Sequence, residues 1–137
     1  MVYRLVIDGR LPGTNEYTGA NRAGWWNGRA MKKEVEEYIG WMIRKCLHGL
    51  EIKMPVNLLY VFCEPHPRRD RDNIYQAQKF IQDALVQCRV LQGDGWEHIL
   101  HNSYECTVDA QNPRIEVYII EQSIFEKKPA ARKEKNK

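Results

Sequence analysis

A chain of 137 residues that is 43% hydrophobic and 28% charged has the size and balance of one globular domain, able to bury a core without disulfides or a structural metal. No apolar run approaches the roughly 18–20 residues needed to cross a bilayer, and no basic start with an apolar middle and small-residue cleavage site marks export, so a cytoplasmic protein away from membranes is expected. The formal net charge of +3 resides in residues 123–137, where Lys127, Lys128, Arg132, Lys133, Lys135 and Lys137 outnumber Glu126 and Glu134; the remainder is close to neutral and does not by itself announce a nucleic-acid binder.

The first strand is expected over Tyr3–Asp8, where aromatic and β-branched residues are dense, ending at Gly9 and Pro12-Gly13. From Asn15 to Asn27 the chain turns to Gly, Asn, Tyr and Trp, which is loop chemistry, with Trp25 and Trp26 needing somewhere to pack. Residues 29–48 repeat Met31, Val35, Tyr38, Ile39, Met42, Ile43 and Cys46 at three- and four-residue steps before Gly49, which predicts a helix.

Val56–Cys63, a nearly continuous apolar run between Pro55 and Pro65, reads as a buried strand. A polar stretch from His66 to Asn73 leads into a second helix reaching about Cys88. Strands at about His98–Val108 and Arg114–Glu121 follow, and the Asp109–Pro113 turn between them suggests a hairpin.

The expected fold is therefore α+β: a small mixed sheet of about four strands with two main helices packed on it. Residues 1–122 form the domain, and 123–137 form a basic tail with too few large apolar residues to order. Cys46, Cys63, Cys88 and Cys106 lie too far apart for a zinc motif and read as reduced packing residues. His98 and His101 stand three apart beside a strand, where their rings point to opposite faces.

The second helix sorts into two stripes. Ile74, Ala77, Ile81, Ala84, Leu85 and Cys88 are apolar, and Asp72, Gln76, Lys79 and Asp83 form the opposite row, which an ordinary surface helix would also show. What sets this row apart is its start, Arg68-Arg69-Asp70-Arg71-Asp72-Asn73, directly after a buried strand. Either aspartate is able to serve as a helix cap, but two carboxylates two residues apart exceed what a cap needs. Hard divalent cations such as Mg²⁺ take oxygen ligands, and short Asp side chains at a strand-to-helix junction hold them well. Asp94, between Gly93 and Gly95, is a third candidate ligand and otherwise an ordinary turn residue.

Taken together, the Arg-Arg-Asp-x-Asp-Asn run at 68–73, Lys79, Asp83-Ala84-Leu85 and the Gly-Asp turn at 93–94 resemble the signature of the RusA-type Holliday junction resolvases. Asn15 and Tyr17 and the order of elements extend the similarity over roughly residues 1–121. The resemblance implies a Mg²⁺-dependent, structure-specific endodeoxyribonuclease that resolves Holliday junctions and related branched DNA in recombination and repair. It implies Asp70, Asp72 and Asp94 as metal ligands and catalytic residues, Lys79 as the catalytic lysine, and a homodimer as the working form. Two departures stand out: Lys79 lies three residues further from the Asp-x-Asp-Asn run than in some members, and Gly93-Asp94 replaces an Asp-Asp pair. Arg68, Arg69 and Arg71, with Lys79, are candidate DNA-phosphate contacts, since backbone contacts position a duplex without reading it. The competing expectation is a non-catalytic nucleic-acid-binding module in which the aspartates only cap the helix.

Overall fold

A computed structural model describes residues 1–12 and 28–122, with the side chains of residues 28–30 excepted. The elements are β1 (Val2–Asp8), α1 (Gly28–Leu47), β2 (Val56–Glu64), α2 (Arg71–Tyr75), α3 (Ala77–Gln87), β3 (Ile99–Val108) and β4 (Arg114–Glu121). Asn15, Tyr17, Trp25, Trp26 and the basic tail lie outside the described residues.

The four strands form one mixed sheet in the order β1-β4-β2-β3, which makes the protein a small α+β fold. β4 runs antiparallel to both β1 and β2, while β2 and β3 are parallel. The parallel pair needs a crossover, and α2 and α3 supply it, so β2, α2, α3 and β3 form a β-α-β unit.

The expected hairpin between β3 and β4 does not form, because β2 lies between them. Two strand spacings amount to roughly 10 Å, a gap that the five residues from Asp109 to Pro113 span easily. As this connection passes the end of β2, the amide of Asp109 donates to the carbonyl of Glu64 at 2.7 Å. The most apolar strand thus takes a central place, where both of its edges are paired.

Burial alternates along the strands. Leu5 and Ile7 of β1, Ile115, Val117 and Ile119 of β4, and Leu58, Tyr60 and Phe62 of β2 are buried and in register on one face. They join Ile39 and Ile43 of α1 and Ile81 and Leu85 of α3 in a single core. Each such side chain removed from water contributes roughly 1.5–3 kcal/mol, and α1 is anchored through its contacts with β1 and α3. α1 ends where His48 and Gly49 take positive φ values of 50° and 76°, the left-handed stop that Gly49 predicts.

The second predicted helix is present in two pieces. A turn at Gln76 separates α2 from α3, but Gln76 keeps helical dihedrals (φ −61°, ψ −22°), so the two pieces share one course. Ile74, Ala77, Ile81, Ala84 and Leu85 face the core, and Asp72, Gln76 and Lys79 are exposed on the other side.

Candidate functional site

The segment between β2 and α2 is held by one buried clamp. Glu64, at the end of β2, is 4% exposed, and it accepts two bonds from the Arg69 guanidinium, Nε to Oε1 at 3.2 Å and Nη2 to Oε2 at 2.9 Å. Arg69 also donates from Nη1 to the carbonyl of Leu11 at 3.1 Å, and Arg10 approaches Glu64 at 3.3 Å. A bidentate arginine–carboxylate pair fixes direction as well as distance, so the loop carrying Arg68 and Asp70 is tied to the exit of β1.

Beyond the clamp, Asp70 adopts an extended conformation (φ −66°, ψ 148°) at the N-cap position, but its side chain makes no capping hydrogen bond. Its carboxylate is exposed and left for other work. Asp72, one residue into α2, accepts the amide of Asn73 on Oδ1 at 3.1 Å and is otherwise exposed. Asn73 itself turns inward and is buried.

The two aspartates border two neighbouring hollows. Asp70 lines one with His66, Arg68, Arg71 and the end of β3 at Cys106–Val108; Asp72 lines the other with Lys79, Gln76, Gln78 and Tyr104. Tyr104 and Cys106 are alternate residues of β3, on the same face and about 7 Å apart along the strand, so the hollows adjoin. The floor of the hollow beside Asp72 is aromatic: Tyr75 stacks on Tyr104 with ring centroids 4.8 Å apart, and Tyr60 lies 5.7 Å from Tyr104. Gln82, buried under this stack, donates to the Tyr60 hydroxyl at 3.1 Å and to Asn102 at 3.0 Å.

Lys79 stands on the exposed side of α3, 73% of its side chain open to solvent, with Nζ 3.6 Å from Asp83. An exposed pair of this kind holds its members weakly, so the ammonium is able to swing toward a phosphate placed over Asp72. Arg68 and Arg71 are exposed, whereas the donors of Arg69 are spent on Glu64 and Leu11. Of the three arginines expected to meet DNA, two face solvent and one holds the loop.

Asp94 sits elsewhere. It lies in the turn before β3, where the carbonyl of Gly95 accepts the amides of His98 and Ile99, both at 3.0 Å. Ile99 pairs with Val56 at the start of β2, while Asp70 follows the end of β2 and borders Val108. Asp94 is therefore separated from Asp70 and Asp72 by roughly the length of a strand, on the order of 25–30 Å. Among the described residues no three His, Cys, Asp or Glu side chains converge as a metal-holding group. Gly93 in the same turn has a steric reason, since a Cβ there would come within 3.0 Å of the His98 ring.

Sequence reasoning missed His66, the clamp from Glu64 to Arg69, and the Tyr75–Tyr104 floor. The clamp alone had a visible trace, a carboxylate closing an apolar strand where water would otherwise have to follow it inward. Neither protein-family models nor curated proteins give a match to the sequence.

Proposed function

We propose that the protein is a Mg²⁺-dependent endonuclease that cuts branched DNA, four-way junctions included, as a homodimer. The observation that supports it most is the pair of carboxylates on Asp70 and Asp72. Both are exposed, Asp70 makes no cap bond, and both lie at a rigid strand-to-helix junction beside Arg68, Arg71 and Lys79. Asp72 accepts one first-turn amide, that of Asn73, on Oδ1, so the helix start engages one carboxylate and leaves that of Asp70 for a ligand.

The carboxylate oxygens suit a hard divalent cation, with Asp70 and Asp72 as its ligands from one chain. A cation held there by Asp70 and Asp72 would supply Lewis-acid polarisation of a phosphoryl oxygen and an activated water for hydrolysis of the phosphodiester. Arg68 and Arg71 bind flanking phosphates and orient the strand. Lys79 offsets the charge that grows on the phosphate as the new bond forms, and the Arg69–Glu64 clamp keeps the loop from yielding. Hydrolysis then leaves a 5′-phosphate and a 3′-hydroxyl.

Asp94 joins this chemistry only if a second copy presents it, because its own chain holds it at the far end of the sheet. A two-fold dimer suits a four-way junction, whose related strands are cut in pairs. The same separation of Asp94 favours a second reading, a binding module without catalysis. Incubation of a labelled four-way junction with and without Mg²⁺ tests the first reading. Cutting that requires the ion, and that Asp72→Asn removes without loss of junction binding, is the expected result. Intact junctions and other branched DNA under all these conditions would leave the binding module as the better account.

A further inference from the structure

The hollow beside Asp70 has features that a metal site does not use. It encloses about 270 Å³, close to the lower end of about 300 Å³ for small-ligand pockets, which admits one mononucleotide-sized group rather than two. Its wall is apolar where it meets the sheet and helix, at Pro67, Ile74, Cys106 and Val108, and Val108 is 51% exposed although it ends a strand. Its rim is cationic on balance: Arg68 and Arg71 stand exposed against the one exposed carboxylate of Asp70, and Arg69 offsets Glu64 within the lining.

His66 completes the rim. The ring is partly exposed and lines the hollow, while its Nδ1 is buried without a hydrogen-bond partner. Unpartnered buried polar atoms are few in folded proteins and call for an explanation. The hollow also lies at the carboxyl ends of the parallel strands β2 and β3, the end at which open α/β sheets take their ligands. The clamp from Arg69 to Glu64 and Leu11 holds the loop bearing His66 and Arg68, so the hollow is formed before any ligand arrives.

We propose that this hollow binds one deoxynucleotide of a DNA strand, its phosphate on His66, Arg68 and Arg71 and its base against Pro67, Ile74, Cys106 and Val108. The inference rests on the nuclease reading for the identity of the strand, and it makes His66 a binding residue additional to those of the metal pair. The nucleotide seated there adjoins the one at Asp70 and Asp72, so the hollow fixes which phosphodiester meets the metal.

The test is an amide NMR titration of the full chain, with EDTA present so that no metal mediates binding. Thymidine 5′-monophosphate is expected to shift amides at 66–71 and 106–108, whereas thymidine, lacking the phosphate, leaves them unmoved. Inorganic phosphate binds more weakly than the nucleotide. His66→Ala and Arg71→Ala each weaken the nucleotide at least threefold while amide spectra elsewhere stay native. A five-residue oligothymidylate binds at least tenfold more tightly than the mononucleotide, as a strand site requires. Equal affinity for thymidine and its monophosphate, shifts that avoid the hollow, or wild-type affinity in both variants overturns the proposal, and so does an oligonucleotide weaker than the mononucleotide. If the nucleotide and oligonucleotide bind as expected while wild-type protein with Mg²⁺ leaves junctions intact, the hollow stands and the nuclease reading fails.

Discussion

At the scale of single residues, the decisive contrast is between carboxylates that are spent and carboxylates that are free. Glu64 is buried and doubly bonded to Arg69, while Asp70, six residues later, occupies a capping position without capping. A working Ser, Asp or Asn cap is worth about 1 kcal/mol on replacement by alanine. Asp70→Ala is therefore expected to change stability by less than about 0.5 kcal/mol in urea unfolding, as surface substitutions do, yet to lower junction cleavage by about two orders of magnitude or more. A stability loss near the capping value with cleavage retained would return Asp70 to a structural role. Arg69→Ala should do the reverse. It leaves Glu64 buried with only the more exposed Arg10 beside it, and is expected to cost about 3 kcal/mol, the lower end for a broken buried pair. In sequence the three arginines look alike. Only burial separates Arg69 from Arg68 and Arg71, and burial depends on a partner five residues back and on Leu11, far off in the chain.

At the scale of elements, periodicity made the two helices and four strands legible, because each carries an apolar face of the right period. What it did not carry was the order of the strands. Consecutive strands usually pair, and a five-residue turn between two β-like segments reads as a hairpin; the strand between them is chosen by burial, which adjacency in sequence does not encode. The face of the sheet opposite the core shows what that order brings together. Arg4 of β1 and Arg114 and Tyr118 of β4 all converge on Glu116, at 3.0, 2.7 and 2.6 Å. The hydrogen bond from Tyr118, with those from the two guanidiniums, overcomes the penalty of burial and holds the Glu116 carboxyl down at about 2, against an ordinary 4.5. A depressed carboxyl stabilises the fold fully above its unfolded value and loses that contribution as pH falls through the folded one. Stability should thus be level above about pH 5 and drop between about 4.5 and 2. Glu116→Gln should be less stable than wild type by on the order of 2 kcal/mol at neutral pH. The gap should close as the pH approaches 2. Urea midpoints of both proteins across that range check the sign; a gap constant with pH would mean that Glu116 contributes shape and not charge.

At the scale of the whole molecule, the parallel pairing of β2 with β3 sets the most consequential distance. The crossover through α2 and α3 carries the chain from one end of the sheet to the other, so Asp70 and Asp72 open it and Asp94 closes it, a strand length away. In sequence Asp94 follows Asp72 by 22 residues and looks like part of one ligand set with it and Asp70; a helical crossover is the connection that separates them most. If the three carboxylates share a metal, two chains must contribute, and a mixing experiment decides it. Asp72→Asn and Asp94→Asn homodimers are each expected to be inactive. After unfolding and refolding together, half of the dimers are mixed. In a mixed dimer one site carries both substitutions and the other carries neither. Nicking of a labelled junction should therefore return to about a quarter of the wild-type rate, because only one site in four is intact. Paired cutting should not return, since no dimer has two intact sites. If each chain instead built its site from its own Asp72 and Asp94, every site in the mixture would hold one substitution and no nicking would appear. An Asp94→Asn homodimer that cuts like wild type would instead leave Asp94 as a turn residue beside its two glycines, and the catalytic reading would rest on Asp70, Asp72 and Lys79 alone.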